Sequence, residues 1–317
     1  MRHNLCELLG IEYPIIMGGM TLISESSLVA AVSEAGGLGI FVTGDKAQEG
    51  GLQRIRDEIA RIKTLTSKPF GVNVAISSPI CKDIMNLVCE EHVALVTTGA
   101  GNPAPYIPQL KAAGVKVVPV IPSKKAAIKM EAAGVDMVVA EGMESGGFIG
   151  KETTIALVPQ VTAAVKIPVI AAGGIADGRG MAAAFAMGAC GIQMGTRFIV
   201  SKECKIPEAY KQAYIAAGAA DAVVEGHHLA KVVPHRSLRT PAAEACIAYE
   251  LTPGATPEKF REIFFAGRVE VTGNVDKAIL GMGQSAGLIT SELSCAEIMQ
   301  TITSDCKAIL KELGSLY

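Results

Sequence analysis

One short stretch of the sequence, AEGMESGGFIGKET, places two carboxylates, a pair of glycines and an aromatic ring within a few residues of each other. Glu141 and Glu144 stand at the end of an apolar run, and Gly146 and Gly147 follow them. Phe148 comes next, at a position where a mobile polar loop would carry a group that moves protons. The stretch therefore raises the question of what a phenyl ring does there.

Glycines at the ends of two predicted strands indicate a phosphate-binding site. One strand ends in AAGGIADGRG, with Gly173 and Gly174, and the next ends in QMGTRF, with Gly195 and Thr196. Glycines leave backbone N–H groups open to an anion, and the threonine adds a hydroxyl group. Tight turns between strand and helix are the alternative reason for such glycines. Both loops follow the seventh and eighth strands, where α/β barrels bind phosphate, so we favour the phosphate site.

Two further strand ends carry residues suited to a flat heterocycle. The first strand ends in MGGM, where Gly19 lets a ring approach the backbone and Met20 can lie against that ring. Asn73, in GVNV, is an amide in an apolar run, and a hydrogen bond within the core is the alternative to a contact with the ring. With a phosphate at the other side of the barrel mouth, these residues predict bound flavin mononucleotide (FMN).

The remaining polar residues are weaker candidates, and they predict no metal site. His227 and His228 are adjacent, which is poor spacing for one metal ion, and such a loop pair usually faces solvent. PHRSLR, residues 234–239, is a basic cluster that we also expect at the surface, where it could steer a phosphorylated ligand. The sequence contains no Walker loop and no HExxH motif.

Eight short apolar runs alternate with helical stretches over the first two-thirds of the chain and position these residues. The runs begin at residues 13, 38, 69, 93, 116, 136, 167 and 190. They are continuous rather than alternating, as is typical of parallel strands buried on both faces. Each run except the last is followed by one helical stretch, which predicts an α/β fold of the (β/α)8 TIM barrel type. A doubly wound sheet fits less well, because no strand is skipped by a long crossover.

The alternation stops after the eighth strand. Residues 201–281 show no clear strand–helix unit and are more polar, which predicts a small cap or lid segment inserted at the barrel mouth. The chain then returns to a helix in SELSCAEIMQTITSDCKAILKEL. We therefore expect a TIM-barrel domain that binds FMN, residues 1–200 and 282–317, and a cap, residues 201–281.

Composition and charge agree with a compact α/β enzyme. Hydrophobic residues make up 50% of the chain, and the formal net charge at pH 7 is -2. A charge so near zero gives no indication of a nucleic acid or a membrane surface as a partner. The eight cysteines are scattered with no CxxC pair, and no signal sequence or membrane-spanning run is evident. We therefore expect reduced thiols and a cytoplasmic location.

Eight motifs, in order along the chain, carry a resemblance to a known family. They are YPIIMGGM, PFGVNV, VTTGAGNP, KVVPVIPS, AEGMESGG, IPVIAAGGIADG, QMGTRF and GMGQSAGL. Together they resemble the flavin-dependent enoyl-acyl carrier protein reductases (type II), within the wider nitronate monooxygenase, or 2-nitropropane dioxygenase, superfamily. The resemblance covers nearly the whole chain, and VTTGAGNP and AEGMESGG are more similar to the reductase branch.

The resemblance implies a barrel that binds FMN at its mouth, with NADH or NADPH as the electron donor. The residues that match the cofactor contacts of the family are Gly19, Met20, Asn73, Ser123, Glu141, Gly146, Gly147, Gly173, Gly174, Gly195 and Thr196. The last four would hold the phosphate. The implied reaction reduces a trans-2-enoyl thioester on an acyl carrier protein in fatty acid synthesis, and the implied assembly is a homodimer.

Phe148 is the departure from the family, which usually carries a histidine at this catalytic position, in ESGGH or EAGGH. Imidazole accepts or donates a proton near neutral pH, and phenyl does not. One interpretation is an enoyl reductase in which water or another group supplies the proton and Phe148 packs on substrate or flavin. The others are a flavin oxidoreductase with another substrate, such as a nitronate monooxygenase-like enzyme, and an FMN-binding homologue with weak activity. We favour the first, because nitronate oxidation needs a base.

Overall fold

The computed structural model describes residues 3–44, 51–268 and 271–315 of the chain. Its largest sheet contains eight parallel strands, and β7 (Gly147–Phe148) lies outside it. The eight are β1 (Ile15–Met17), β2 (Gly39–Val42), β3 (Phe70–Ala75), β4 (Leu95–Gly99), β5 (Lys116–Ile121), β6 (Val138–Glu141), β8 (Val169–Ala172) and β9 (Gly191–Met194). Their order is β1-β9-β8-β6-β5-β4-β3-β2, and a parallel bridge between Ile16 and Leu38 joins the two ends. The predicted (β/α)8 TIM barrel is confirmed.

Helices connect the strands, and most of those before residue 200 cover the outside of the barrel. They are α1 (Leu5–Leu9), α2 (Ser26–Glu34), α3 (Gly51–Leu65), α4 (Cys81–Glu90), α5 (Ile107–Ala112), α6 (Lys124–Ala132), α7 (Thr154–Ala164), α8 (Gly178–Ala186), α9 (Thr196–Ile199), α10 (Glu208–Ala216), α11 (Pro241–Glu250), α12 (Pro257–Arg268) and α13 (Cys295–Gly314). Ser294 begins α13 with a capping box, because its hydroxyl accepts from the Glu297 N–H and the Glu297 carboxylate accepts from the Ser294 N–H. α13 then packs against α8, so the chain does return to a barrel helix.

Alternate residues of each barrel strand belong to two separate cores. Ile16, Val139 and Ile170 pack in an inner core enclosed by the strands. Their neighbours, such as Ile15 and Val138, pack in an outer core with the helices. Successive strand residues point to opposite faces, so both faces of the barrel wall are buried. This double burial is the reason that the strands are continuous apolar runs in the sequence.

A second sheet joins residues that are far apart in the sequence. It contains β7, β10 (Ala222–Glu225) and β11 (His235–Leu238), with β11 in the middle and antiparallel to both neighbours. β10 and β11 come from the segment 201–281, which also contains α10, α11 and α12. The assignment of this segment to a separate cap remains a prediction, and its residues 269–270 lie outside the described residues.

None of the helices described in residues 3–44, 51–268 and 271–315 is both long and apolar enough to cross a membrane.

Candidate active site

A cavity of about 820 Å³ lies at the carboxyl ends of the barrel strands. Its volume suits a cofactor or another small molecule. Every predicted site residue except Ser123 lines this cavity, namely Gly19, Met20, Asn73, Glu141, Gly146, Gly147, Phe148, Gly173, Gly174, Gly195 and Thr196. The fold therefore brings together the ends of β1, β3, β6, β8 and β9, as the sequence predicts.

The floor of the cavity is polar because the last inward-pointing residues of several strands are polar. Val139 packs in the inner core, so the side chain two residues later in β6, that of Glu141, points into the barrel as well. The same alternation points Asn73, Thr97 and Gln193 inward, and all three line the cavity. No motif of the sequence indicates Thr97 or Gln193 as a site residue. Both can be identified as inward-pointing residues by counting every second residue along the strand from an apolar residue of the inner core.

Asn73 is held in place by two contacts. Its Nδ2 donates a hydrogen bond of 2.9 Å to Oγ1 of Thr97 on the neighbouring strand. The backbone of Gly19 lies so close that an added Cβ would stand 2.8 Å from the Cβ of Asn73. Asn73 therefore makes a hydrogen bond between strands and also faces the cavity, and its contact with a ring stays a prediction.

Glu141 ends β6 and faces the cavity. Burial in the surrounding protein raises the pKa of its carboxyl from 4.5 to about 7. Near neutral pH both the acid and the carboxylate are therefore populated. Glu141 can donate a hydrogen bond to a ligand in the first form and accept one in the second.

The two glycine loops form one side of the cavity. Gly173 and Gly174 follow β8 with φ angles of 96° and 74°, a left-handed conformation that glycine adopts without strain. After β9, Gly195 precedes α9, and the hydroxyl of Thr196, the first residue of α9, accepts a hydrogen bond of 3.0 Å from the backbone N–H of Gly283. Because this bond uses the oxygen as acceptor, the Thr196 O–H proton can be donated to an anion.

Glu144 and Ser123 cap helices. Both carboxylate oxygens of Glu144 accept from the backbone N–H of Thr154, at 3.0 and 2.9 Å, at the beginning of α7. The Ser123 hydroxyl accepts a 3.3 Å hydrogen bond from the Ala126 N–H at the beginning of α6. A carboxylate at a helix N-terminus stabilises the helix by completing its unpaired donors. The two glutamates of AEGMESGG therefore have different environments, one in the cavity and one at a helix end.

Phe148 stands at the rim of the cavity, with 46% of its surface exposed. Its ring meets the imidazole of His235 edge to face, with 5.3 Å between the centroids, and lies 6.4 Å from the ring of Phe264. The guanidinium carbon of Arg268 lies 6.0 Å from the Phe148 centroid. The ring thus belongs to an aromatic and basic cluster that the sequence did not predict.

The basic cluster PHRSLR is not a surface patch, and that expectation was wrong. His235 and Arg236 are only 2% and 5% exposed. Arg236 donates to the carbonyl oxygen of Ala222 at 2.8 Å, whereas Arg239 is exposed and pairs with Glu244. The reason is that β11 is the central strand of its sheet, so its side chains are covered by neighbours.

The structure supports no chemistry for His227, His228 or Ser285. His227 and His228 are exposed, as expected. In the part of the chain that the structure describes, no three His, Cys, Asp or Glu side chains are placed to hold a metal ion. Ser285 lies in GQSAG, which matches the GxSxG pattern of hydrolases. However, a 3-10 helix carries it instead of the strand-to-helix turn that such a nucleophile needs.

The cavity has the donors and the open backbone that a flavin nucleotide requires. The Ser145 hydroxyl lines it and is buried without a hydrogen-bond partner within the described residues, so a ligand can supply one. An added Cβ on Gly195 would lie 3.5 Å from Sδ of Met20, so the predicted ring platform adjoins the predicted phosphate loops. A planar ring system joined to a phosphate matches this arrangement.

Known proteins resemble the chain over almost its whole length. The sequence profile of the nitronate monooxygenase family matches residues 2–90 and 81–305. The structure of FabK from Thermotoga maritima has a TM-score of 0.91 and 43% sequence identity, over 99% of this chain and 98% of that chain. A 5-hydroxy-7a-methyl-1-oxo-octahydro-1H-indene-4-carboxyl-CoA dehydrogenase from Rhodococcus jostii is 32% identical over 100% of this chain and 99% of its own. A probable nitronate monooxygenase from Staphylococcus aureus is 32% identical over 89% of this chain and 88% of the length of that protein.

Proposed function

The chain belongs to the nitronate monooxygenase family and is a flavin-dependent oxidoreductase, and we propose that its flavin is FMN and its substrate a trans-2-enoyl thioester. An acyl carrier protein carries this thioester in the elongation cycle of fatty acid synthesis, and NADH or NADPH is the electron donor. The similarity to FabK supports the proposal, as do the motifs that resemble the type II enoyl reductases.

The contrast between the floor and the rim of the cavity carries the proposal. Polar side chains form the floor and the glycine loops form one side, whereas apolar side chains form much of the rim. At the rim Leu22, Phe148, Val233 and Val271 are 49%, 46%, 58% and 57% exposed. A patch of exposed apolar side chains beside a cavity is typical of a surface that a ligand covers. An acyl chain can cover such a surface, and a small charged nitronate cannot.

The residues of the floor and the loops fit FMN. Gly173, Gly174 and Thr196 would bind its phosphate through backbone N–H groups and a hydroxyl group. Asn73 and Glu141 would form hydrogen bonds with the polar part of the ring system or the ribityl chain. When bound, the flavin supplies hydride transfer between the nicotinamide and the β-carbon of the thioester.

An anaerobic absorbance titration tests the proposal. The purified protein is loaded with FMN, NADH or NADPH is added, and crotonyl thioester follows. We expect the nicotinamide to bleach the yellow absorbance and the thioester to restore it. A spectrum that neither nicotinamide bleaches contradicts the reductase function. Bleaching by a nitronate without nicotinamide, together with no recovery on adding thioester, would place the protein with the nitronate-oxidising members of its family.

The carrier of the acyl chain needs a separate comparison, because the Rhodococcus relative is named for a coenzyme A thioester. His235 and Arg236 are buried, so they cannot form the basic surface that would meet an acidic carrier protein. The proposed carrier-protein substrate predicts a higher kcat/KM with crotonyl-acyl carrier protein than with crotonyl-coenzyme A, through surface residues other than these two. Equal values would show that the protein recognises only the acyl chain and the pantetheine arm.

A further inference from the structure

Three side chains form a row across the second sheet and end at the cavity. Glu225 of β10 is the register partner of His235 in β11, and His235 is the register partner of Phe148 in β7. The Ile149 N–H donates to the Pro234 carbonyl oxygen at 2.9 Å, which makes the adjacent Phe148–His235 pair the non-hydrogen-bonded kind. In such a pair both side chains lie close together on the same face of the sheet. An imidazole at 235 therefore faces the same space as an imidazole at 148 would.

His235 has the contacts of an oriented acid–base group. Its Nδ1 lies 3.4 Å from Oε2 of Glu225, a carboxylate that is 0% exposed. The Ser237 hydroxyl donates to the other oxygen of this carboxylate. A buried carboxylate beside Nδ1 fixes the ring and favours a proton on that nitrogen, and Nε2 is the ring nitrogen that contacts Arg268. His235 itself lines the cavity, beside Phe148.

We propose that His235, oriented by Glu225, supplies the proton that Phe148 cannot, and this inference rests on the proposed enoyl reductase function. Hydride that originates on the nicotinamide, and that the flavin would supply when bound, adds to the β-carbon, and the electron pair of the carbon–carbon double bond moves toward the thioester carbonyl. The Nε2–H bond of the protonated His235 then breaks as the α-carbon–hydrogen bond forms. Water returns the proton to the imidazole.

Two neighbours control access to Nε2. Nη1 of Arg268 lies 3.3 Å from this nitrogen, and Arg268 also lines the cavity. A guanidinium N–H and a protonated Nε2–H cannot face each other as donors, so the Arg268 head must move aside when substrate enters. The Phe148 ring packs against the imidazole and covers part of it from the rim. Both side chains lie at the cavity, where a bound acyl chain can displace them.

The two half-reactions separate reduction of the flavin, which needs no proton at the α-carbon, from reduction of the thioester, which does. His235→Gln and the matched control His228→Gln, an exposed histidine of the same segment, are loaded with FMN and studied by anaerobic stopped flow. We expect NADH or NADPH to bleach both variants at the wild-type rate. Recovery with crotonyl thioester should slow by about 10²–10⁴-fold in His235→Gln, the range for loss of a general acid, and not in His228→Gln. Equal recovery in His235→Gln and the wild type would overturn the inference.

Exchanging the rings of Phe148 and His235 distinguishes loss of the proton donor from a folding defect. Phe148→His/His235→Phe keeps one phenyl and one imidazole in the pair, so the packed volume is conserved. We expect this variant to regain most of the recovery rate that His235→Phe alone loses. A melting temperature at the wild-type value combined with no regain would contradict the proposal.

Nuclear magnetic resonance gives a readout that does not depend on turnover. The chain contains five histidines, so the imidazole signals of the FMN-loaded protein can be resolved, and the signal absent from His235→Gln is that of His235. Butyryl thioester, a saturated product analogue, should shift this signal and leave those of His227 and His228 in place. A His235 signal that stays unchanged at saturating butyryl thioester would refute contact with the reacting part of the ligand. Failure of the wild type to recover with crotonyl thioester would instead refute the proposed function.

Discussion

The side-chain amide of Asn73 donates to the hydroxyl of Thr97 at 2.9 Å, across the ends of two neighbouring barrel strands. Both side chains point into the barrel because successive strand residues alternate between its two faces. Thr97 lies two residues after Leu95, which packs in the inner core, and Asn73 lies between Val72 and Val74, which pack in the outer core. Asn73 uses one of its two N–H donors in this bond, and its carbonyl oxygen can accept another. The pair therefore fixes an amide at the cavity floor while leaving part of it for a ligand.

Replacing Asn73 by leucine removes the amide and keeps a similar volume. We expect Asn73→Leu to weaken FMN binding by about 2–12-fold, since one neutral hydrogen bond contributes about 0.5–1.5 kcal/mol. The measurement is the quenching of FMN fluorescence during titration with protein. Thr98→Val is the matched control, because Thr98 follows Thr97 and points to the opposite face of the barrel wall. An unchanged dissociation constant for Asn73→Leu would show that the amide serves only the contact between strands.

Alanine substitutions at Gly174 and Gly134 separate an effect on the predicted phosphate site from the effect of backbone strain. Both have positive φ angles, 74° and 87°, so alanine strains either position by about 1–2 kcal/mol. Gly174 lines the cavity, whereas an added Cβ on Gly134 would meet nothing within 4 Å. We expect both alanine variants to lower the melting temperature and only Gly174→Ala to weaken FMN binding.

Riboflavin, which lacks the phosphate, completes this experiment. Gly174→Ala should bind riboflavin nearly as well as the wild type does, because the added methyl group stands at the phosphate loop. An equal loss of affinity for FMN and riboflavin would mean that the loop after β8 contacts the ring system and not the phosphate.

The barrel could be predicted from the sequence because double burial leaves a continuous apolar run for each strand. KVVPVI became β5 and IPVIAAGG contains β8, and the cavity is lined by Pro122 directly after β5 and by Gly173 and Gly174 directly after β8. The strand-end candidates were predictable for the same reason, since parallel strands bring their carboxyl ends to one mouth. Thr97 and Gln193 needed the additional step of counting the two-residue period within each strand.

The pairing of Phe148 with His235 could not be predicted from local sequence. β7 is only two residues long, and its partner lies 87 residues later, so no periodic pattern marks the contact. The charges of PHRSLR indicated solvent exposure, yet the Arg236 guanidinium is satisfied by the carbonyl oxygens of Ala222 and Met143 inside the protein. These hydrogen bonds to a buried guanidinium depend on the tertiary structure, so the spacing of residues in the sequence does not predict them.

The raised pKa of Glu141 predicts a loss of stability with rising pH. In the unfolded chain its carboxyl ionises near 4.5, and in the folded protein near 7. The unfolded state therefore loses its proton first, and the free energy of unfolding falls between pH 4.5 and 7, by at most about 3.5 kcal/mol. Urea unfolding without added FMN, at pH 5 and pH 8, should show a smaller fall in Glu141→Gln than in the wild type. Identical pH dependence would show that water in the cavity solvates the carboxylate and removes the shift.

Glu144→Gln should affect stability without affecting the cavity chemistry. Both carboxylate oxygens accept from the Thr154 N–H at the beginning of α7, and the Thr154 hydroxyl lies 2.9 Å from the Gly173 carbonyl oxygen. Loss of the charged cap is expected to cost about 0.5–2 kcal/mol of unfolding free energy, seen as a lower urea midpoint at an unchanged slope. FMN affinity and the rate of recovery with crotonyl thioester should stay near the wild-type values. A large fall in FMN affinity, with the urea midpoint unchanged, would place Glu144 in the binding site and contradict its role as a helix cap.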